Sequence, residues 1–292
     1  MNLRDLKYFV AVAELEHFGR AAEKCCVSQP TLSGQIKKIE EQLDVALFER
    51  TNRRVILTET GKSILGYAKR IMLEVEAINQ IAEGSHDPFT GSFRLGAFPT
   101  LATYIFPTLV PGINEEMPNL KLVLIEEKTE KLLEKLHICE IDAALLALPI
   151  EDDFLVSRKL FEDEFSLAVQ SGHKFAQYDP IDQQDLAGEK LMLLEEGHCL
   201  RDQALEVCHL HGVGEEMDFK ATSLETLRQM VKAGSGITFM PRIAILEKEE
   251  GINYIPFTQP APVRSIGLVW RKTTVRKEVI SSCCDIIANL GL

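Results

Sequence analysis

Apolar side chains in the first sixty residues recur at helical spacing. In "LRDLKYFVAVAELEHF", Leu6, Phe9, Val10, Ala13 and Phe18 share one face, while Arg4, Lys7, Glu14 and Glu16 lie elsewhere. A short helix, "RAAEKC", follows the break at Gly19, and "VSQPTLSGQIKKIEEQL" predicts a third, with Ser28 as N-cap and Pro30 tolerated in the first turn. Leu32, Ile36, Ile39 and Leu43 form its inward stripe. The other side presents Gln29, Thr31, Ser33, Gln35, Lys37 and Lys38. Short hydrogen-bonding groups at a helix start can read base edges, and the lysines further along can hold phosphate. In "FERTNRRVILTETG" the "TN" reads as a hairpin turn, placing Arg50, Arg53 and Arg54 on a basic wing.

From a possible N-cap at Thr58, the chain runs without proline to Gly84. Ile64, Ala68, Ile71, Val75, Ile78 and Ala82 are spaced 4, 3, 4, 3 and 4, a heptad seam. Such a seam calls for a partner helix, although packing against its own domain is open to it as well. At about 39 Å, the helix is long enough to hold two DNA-reading heads on successive turns of a duplex. "SHDPFTG", Ser85 to Gly91, has the turn residues of a hinge. Beyond it, strand-like runs alternate with helical ones: "SFRLGAF", "LKLVLIEE" and "DAALLAL", then a second set beginning near Phe165 and closing on "TVRKEVISSCCDIIANL". The alternation predicts parallel sheet with crossover helices, in two α/β halves around a cleft. The expected order is therefore a winged helix-turn-helix at 1–58, a linker and dimerisation helix at 59–84, a hinge at 85–91 and a two-subdomain α/β effector domain at 92–292.

Charge sharpens this division. The formal net charge is −12, yet residues 1–70 hold 12 Lys and Arg against 9 Asp and Glu, leaving the remainder strongly acidic. Only the first segment suits phosphates. "MNLRDLKYF" lacks a secretory apolar core and no run suits a membrane span, so the expectation is a cytoplasmic protein with no membrane partner. The seven cysteines, an odd number, argue against an extracellular disulfide framework.

The densest chemistry lies in "EEGHCLRDQALEVCHLHG". A zinc site from Cys199, Cys208, His209 and His211 lacks the usual short C-x2-4-C pair. A second reading makes Cys208 a core thiol and Cys199 a surface one. A third makes Cys199 reactive: at a helix start beside His198 and Arg201, its thiolate would be favoured. If the intervening residues are helical, the two cysteines lie about 13.5 Å apart along the axis and half a turn out of phase. A disulfide needs Cα atoms within about 7 Å, so bonding would force the segment to refold. A peroxide-cleaving thiol also needs donors for the departing oxygen. Thr100, Thr129, His198 and Arg264 are candidates from strand ends. Cys25, Cys26, Cys139, Cys283 and Cys284 read as packed thiols. No phosphate loop, paired catalytic carboxylates or Ser-His-Asp order stands out.

"FGRAAEKCCVSQPTLSGQIKKIEEQLDVALFERTNRRVILTETG" resembles the winged helix-turn-helix of LysR-type transcriptional regulators. "AGEKLMLLEEGHCLRDQAL", "FKATSLETLRQMVKAGSGIT" and "RSIGLVWR" resemble the peroxide-sensing members of that family, over nearly the whole chain. The resemblance implies a DNA-binding activator, a dimerising linker helix, an effector domain like a periplasmic binding protein, and a homotetramer acting with RNA polymerase. It further implies that hydrogen peroxide oxidises Cys199, that Cys208 resolves it to a disulfide reset by a glutaredoxin or thioredoxin system, and that Thr100, Thr129, His198 and Arg264 assist. No metal or other cofactor is implied. Asp218 departs from a histidine expected before "FKATS". Two rival readings are a two-cysteine thiol peroxidase and a LysR-type regulator of an organic metabolite whose cysteines are silent.

Overall fold

A computed structural model describes residues 1–50, 55–83, 87–197, 199–201, 203–205, 214–246 and 249–291. The chain divides into two compact units, Met1–Asp87 and Pro88–Leu292. The long helix that was expected as a separate linker is counted with the first.

In the first unit, helices α1 (Leu3–Leu15), α2 (Phe18–Lys24) and α3 (Gln29–Leu43) precede a hairpin of β1 (Phe48–Arg50) and β2 (Val55–Leu57), and α4 (Glu59–Glu83) closes the unit. Asn2 and Asp5 form a reciprocal capping box on α1. Asp5 also accepts a 2.7 Å hydrogen bond from Gln35 Nε2, which fastens α3 to α1 through a buried carboxylate. Phe9, Leu32, Ile36 and Leu47 are fully buried, and Phe48 meets Phe9 and Phe18 edge-on. The buried face of α1 is broader than the stripe in the sequence. Tyr8, Ala11 and Val12 are buried while Val10 and Ala13 are only partly so, because α2, α3 and α4 all pack on this helix. Leu43, expected inside, is 36% exposed in the last turn of α3.

Thr58 caps α4 by accepting from Gly61 N at 2.9 Å. The heptad seam serves two purposes along its length. Ala68 is fully buried in the core of the first unit and Ile64 packs partly against it, whereas Ile71 and Ile78 are exposed, with Tyr67 beside them. The side chain of Ala82 lies outside the described residues.

The second unit opens with a parallel β-α-β-α-β arrangement: β3 (Gly91–Ala97), α5 (Pro99–Glu116), β4 (Leu120–Glu126), α6 (Thr129–His137) and β5 (Ala143–Leu148), with β3 between β4 and β5. Beyond it the expected parallel pairing holds for β7 and β8, while the strands around β6 are antiparallel. β6 runs sixteen residues, Leu155–Gln170, and its partners are all antiparallel: β11 (Val263–Arg271) along its first part, then β9 (Thr238–Pro241) and β10 (Ile252–Pro256). β11 also pairs antiparallel with β5. The parallel pair β7 (Lys190–Leu194) and β8 (Gly214–Ala221), with helix α8 (Leu224–Lys232), completes the second half. Between β7 and β8 lies α7, described at residues 199–201 and 203–205. Helix α9 (Lys277–Ala288) returns to the first half.

Each half has its own core, one around Leu95, Leu101, Leu145 and Leu268, the other around Leu167, Leu193, Leu227 and Phe239. Cys283 and Cys284 are buried in the first, and burial pushes the Cys283 thiol up to about 12. Cys25 and Cys139 are half-buried, but Cys26, expected to be packed, is exposed. It follows the end of α2 with φ 55°, and this left-handed turn directs it outward.

Gly61 makes a specific demand at the entry to α4, since a Cβ there would lie 2.2 Å from the Leu47 carbonyl oxygen, which is backbone and cannot step aside. Gly61→Ala is expected to destabilise the first unit by about 1–3 kcal/mol, read as a lower urea midpoint for its unfolding. An unchanged midpoint would contradict this packing.

Candidate functional site

Two groups of side chains stand out, one in each unit. In the first, Ser28 caps α3 by accepting from Thr31 N at 3.3 Å, and the Ser28 and Thr31 hydroxyls are 2.7 Å apart. Gln29, Pro30, Thr31, Lys37 and Lys38 are exposed and Ser33 is half-exposed, so the helix start and its cationic side face solvent together. Lys37 makes only a loose pair with Glu41 at 3.5 Å, both well exposed. Gln35 differs from its neighbours in having its amide committed to Asp5. Arg50 ends β1, opposite Val55. Arg53 and Arg54 lie outside the described residues.

The second group gathers where strands of the second unit end. Arg264, on β11, is directly across from Asp163 on β6. Its guanidinium lies 2.7 Å from Asp163 Oδ2 and donates to Thr100 Oγ1 at 3.0 Å and to the Thr100 carbonyl at 3.3 Å. All three residues are buried. Phe98 and Phe165 flank the cation with ring centroids 5.2 and 5.8 Å away. The fold thus joins two predicted residues, Thr100 and Arg264, through a third that sequence reasoning missed. Asp163 also accepts from Ile243 N at 3.0 Å. Its trace in the sequence is an acid in phase with inward-facing Phe165 and Leu167 along one strand.

Thr129 is the first residue of α6, and its Oγ1 is buried without a hydrogen-bond partner among the described residues. Adjacent Lys128 reaches the loop before α7, where its Nζ donates to Glu195 Oε1 at 2.7 Å and to the Glu196 carbonyl at 3.0 Å. Gly197 has φ +86°, and a Cβ on it would approach the Lys128 stem to 3.2 Å. Glycine suits both demands. Two residues later Cys199 is a half-buried thiol packed against the first core, while Leu200 and Ala204 are buried in the second. Helix α7 therefore rests on both halves. Arg201, read in the sequence as a cation favouring the Cys199 thiolate, also has partners that hold the fold. It forms a bidentate pair with Glu215 of β8 at 2.6 and 2.9 Å and donates to the Leu194 carbonyl at 3.1 Å. That pairing offsets its charge and ties α7 to β8.

His198, Cys208, His209 and His211 lie outside the described residues, as does the side chain of Asp218. A cleft of about 310 Å³ opens at the carboxyl ends of β3, β4, β7 and β8, lined by Pro99, Tyr104, Glu126, Lys128, Glu195 and Ser223 among others. Among the described residues no helix is long and apolar enough to cross a membrane.

Comparison with known proteins covers both units. Residues 3–62 match the bacterial regulatory helix-turn-helix protein family, lysR type, and residues 86–290 match the LysR substrate binding domain. The chain is 44% identical over 273 residues to the DNA-binding transcriptional dual regulator OxyR of Escherichia coli (strain K12), covering 93% of this chain and 90% of that protein. It is similar to the solved structure of a full-length OxyR variant from Pseudomonas aeruginosa, with TM-score 0.82 and 35% identity over 98% of this chain and 94% of that one. A Corynebacterium glutamicum OxyR mutant, H2O2-bound, gives TM-score 0.68 at 33% identity over 99% and 92% of the two chains. A reading head, a two-core effector unit and relatives that match along almost their full length place this chain in the LysR family of bacterial transcriptional regulators.

Proposed function

We propose that this protein is a non-enzymatic transcription regulator that binds operator DNA through its first unit and senses hydrogen peroxide at Cys199. The observation that carries the reading is the placement of α7, with Cys199 on one core and Leu200 and Ala204 in the other. A covalent change at such a thiol competes with the packing of both halves.

The chemistry balances with two thiols. The Cys199 thiolate attacks one peroxide oxygen; an S–O bond forms, the O–O bond breaks, and the departing hydroxide takes a proton to leave as water. The Cys208 thiolate then attacks the sulfenic sulfur, forming the disulfide and releasing a second water. A dithiol of the glutaredoxin or thioredoxin kind returns both to thiols. Thr100, Thr129, His198 and Arg264 supply hydrogen bonds to the peroxide and its departing oxygen. Arg264 donates to Thr100 Oγ1, so the Thr100 hydroxyl keeps its own proton to donate. Thr129 Oγ1, with no partner among the described residues, has its capacity in hand.

The resulting bond is in conflict with α7. If the helix runs on through Cys208, which lies outside the described residues, Cα atoms nine residues apart are separated by about 13.5 Å, against the roughly 7 Å that a disulfide tolerates. Oxidation thus requires refolding of the segment, which loosens Leu200, Ala204 and the Arg201–Glu215 tie from β8. Two α4 helices pairing through Ile71, Val75 and Ile78 would join reading heads, and two such dimers would form a tetramer. A change of packing in the effector units would then shift the heads along the operator and alter their contact with RNA polymerase. Such a protein works in the cytoplasm, where its DNA is.

Cys199→Ser is expected to bind operator DNA but to give no response to peroxide. Cys208→Ser is expected to stop at sulfenic acid, detectable by mass spectrometry after trapping with dimedone. A wild-type protein whose 199–208 peptides never crosslink after brief peroxide exposure would remove the mechanism. Thr100→Val leaves the Arg264–Asp163 pair intact and is expected to slow Cys199 oxidation by about a hundredfold, measured by stopped-flow under pseudo-first-order peroxide. At the other unit, Lys37→Ala and Lys38→Ala are each expected to weaken DNA binding uniformly across sequences and to lower the slope of log affinity on log salt by about one. Unchanged slopes in a salt titration would take these lysines off the phosphates.

A further inference from the structure

The one tryptophan of the chain, Trp270, lies directly across from Val156 where β11 pairs with β6, and belongs to neither group described above. Together with one face of α9 these strands line a pocket of about 390 Å³, within the size range of small-ligand sites. On α9 the residues are Lys277, Ile280, Ser281 and Cys284, spaced i, i+3, i+4 and i+7 along one side of the helix. Ile280 and Cys284 are buried, so with Trp270 and Val156 they give the pocket an apolar interior.

Its charge is of one sign. Arg158, Lys272 and Lys277 line it. Arg158 reaches Asp285 only at 3.4 Å, with both side chains more than half exposed, a pair of little weight. The Lys272 ammonium donates to the backbone carbonyl of Asp153, which carries no charge. Lys277 has no ion-pair partner among the described residues. Burial pushes the Cys284 thiol up, so it stays neutral and sets no negative charge against an incoming anion. Of the three lining cations only Arg158 has a carboxylate partner among the described residues, and that one is weak, so an anion in the pocket would meet net positive charge. An inorganic anion would leave the Trp270 and Ile280 surface wet. A neutral apolar ligand would leave the cations uncompensated. We infer that this pocket binds a small aryl carboxylate, its ring against Trp270 and Ile280 and its carboxylate toward Arg158, Lys272 and Lys277. The proposal stands apart from peroxide sensing and survives if that reading fails.

Because Trp270 is the sole tryptophan, fluorescence of the full-length protein excited selectively at tryptophan, beyond tyrosine absorption, reports on this pocket. Titration with benzoate is expected to give a saturable fluorescence change matched by heat in calorimetry. Lys277→Gln, at an exposed position that leaves folding intact, is expected to weaken binding about tenfold, the loss of one charge-assisted contact. Benzamide, with the ring and no charge, and inorganic phosphate, with charge and no ring, are each expected to bind at least about tenfold more weakly than benzoate. Cys199→Ser is expected to bind benzoate as the wild type does. Absence of saturable binding by both methods, equal binding of benzamide or phosphate, or an unaffected Lys277→Gln variant would each overturn the proposal.

Discussion

A charged group without water must have its counter-charge built beside it, and in this protein Arg264 and Asp163 meet that condition where the two halves of the effector unit join. The pair sits in register across β11 and β6. At the next residues β6 leaves β11 and turns to β9 and β10, so that Phe165 already pairs with Pro241. Phe98, on one side of the guanidinium, belongs to the first core and Phe165, on the other, to the second. Removing either charged partner strands the other in a dry site, a cost of about 3–5 kcal/mol. The position of Thr100 follows, because its hydroxyl and carbonyl are both held by the same guanidinium.

Helix α7 repeats this arrangement with weaker materials. It too touches both cores, and its ties among the described residues include the half-exposed Lys128–Glu195 pair, the Arg201–Glu215 fork and the buried Leu200 and Ala204. The contrast divides labour. The Arg264 junction is expensive to disturb and fixes where the threonine stands, whereas the contacts of the thiol-bearing helix lie nearer the surface. A sensor needs both, since a site must be accurately placed before reaction and free to rearrange after it.

Much of the first unit was legible because its signals are local: the Ser28 cap, the stripe of Leu32, Ile36 and Ile39, and the Thr58 start of α4 each depend on neighbours within a few residues. Errors there came from packing. The inward face of α1 widened to Tyr8 and Val12 because several helices rest on it, and Ala68 was drawn from the heptad seam into the core of its own unit. In the second unit, β6 was read from Phe165 onward only. Its earlier half carries Arg158, Lys159, Glu162 and Asp163, which hide the strand period under exposed charge. Asp163 itself was invisible because its partner is 101 residues away, and no local pattern reports such a pairing. Thr100, Thr129 and Cys199 were singled out by their common place after strand ends, whereas the pairing of Arg201 with Glu215 depends on the β7–β8 pairing and could not be read from "GHCLRDQA".

The length of β6 has a mechanical meaning. Sixteen residues of strand, with one shift of register against β11 at Leu160, serve as a shared spine, hydrogen-bonded to one neighbour at its start and to others at its end. Such a spine resists the two halves swinging on each other like a jaw, because bending it would break ladder bonds on both sides at once. Strain raised beside it therefore travels more easily outward, along the surface elements and toward whatever docks there, than through the middle of the fold.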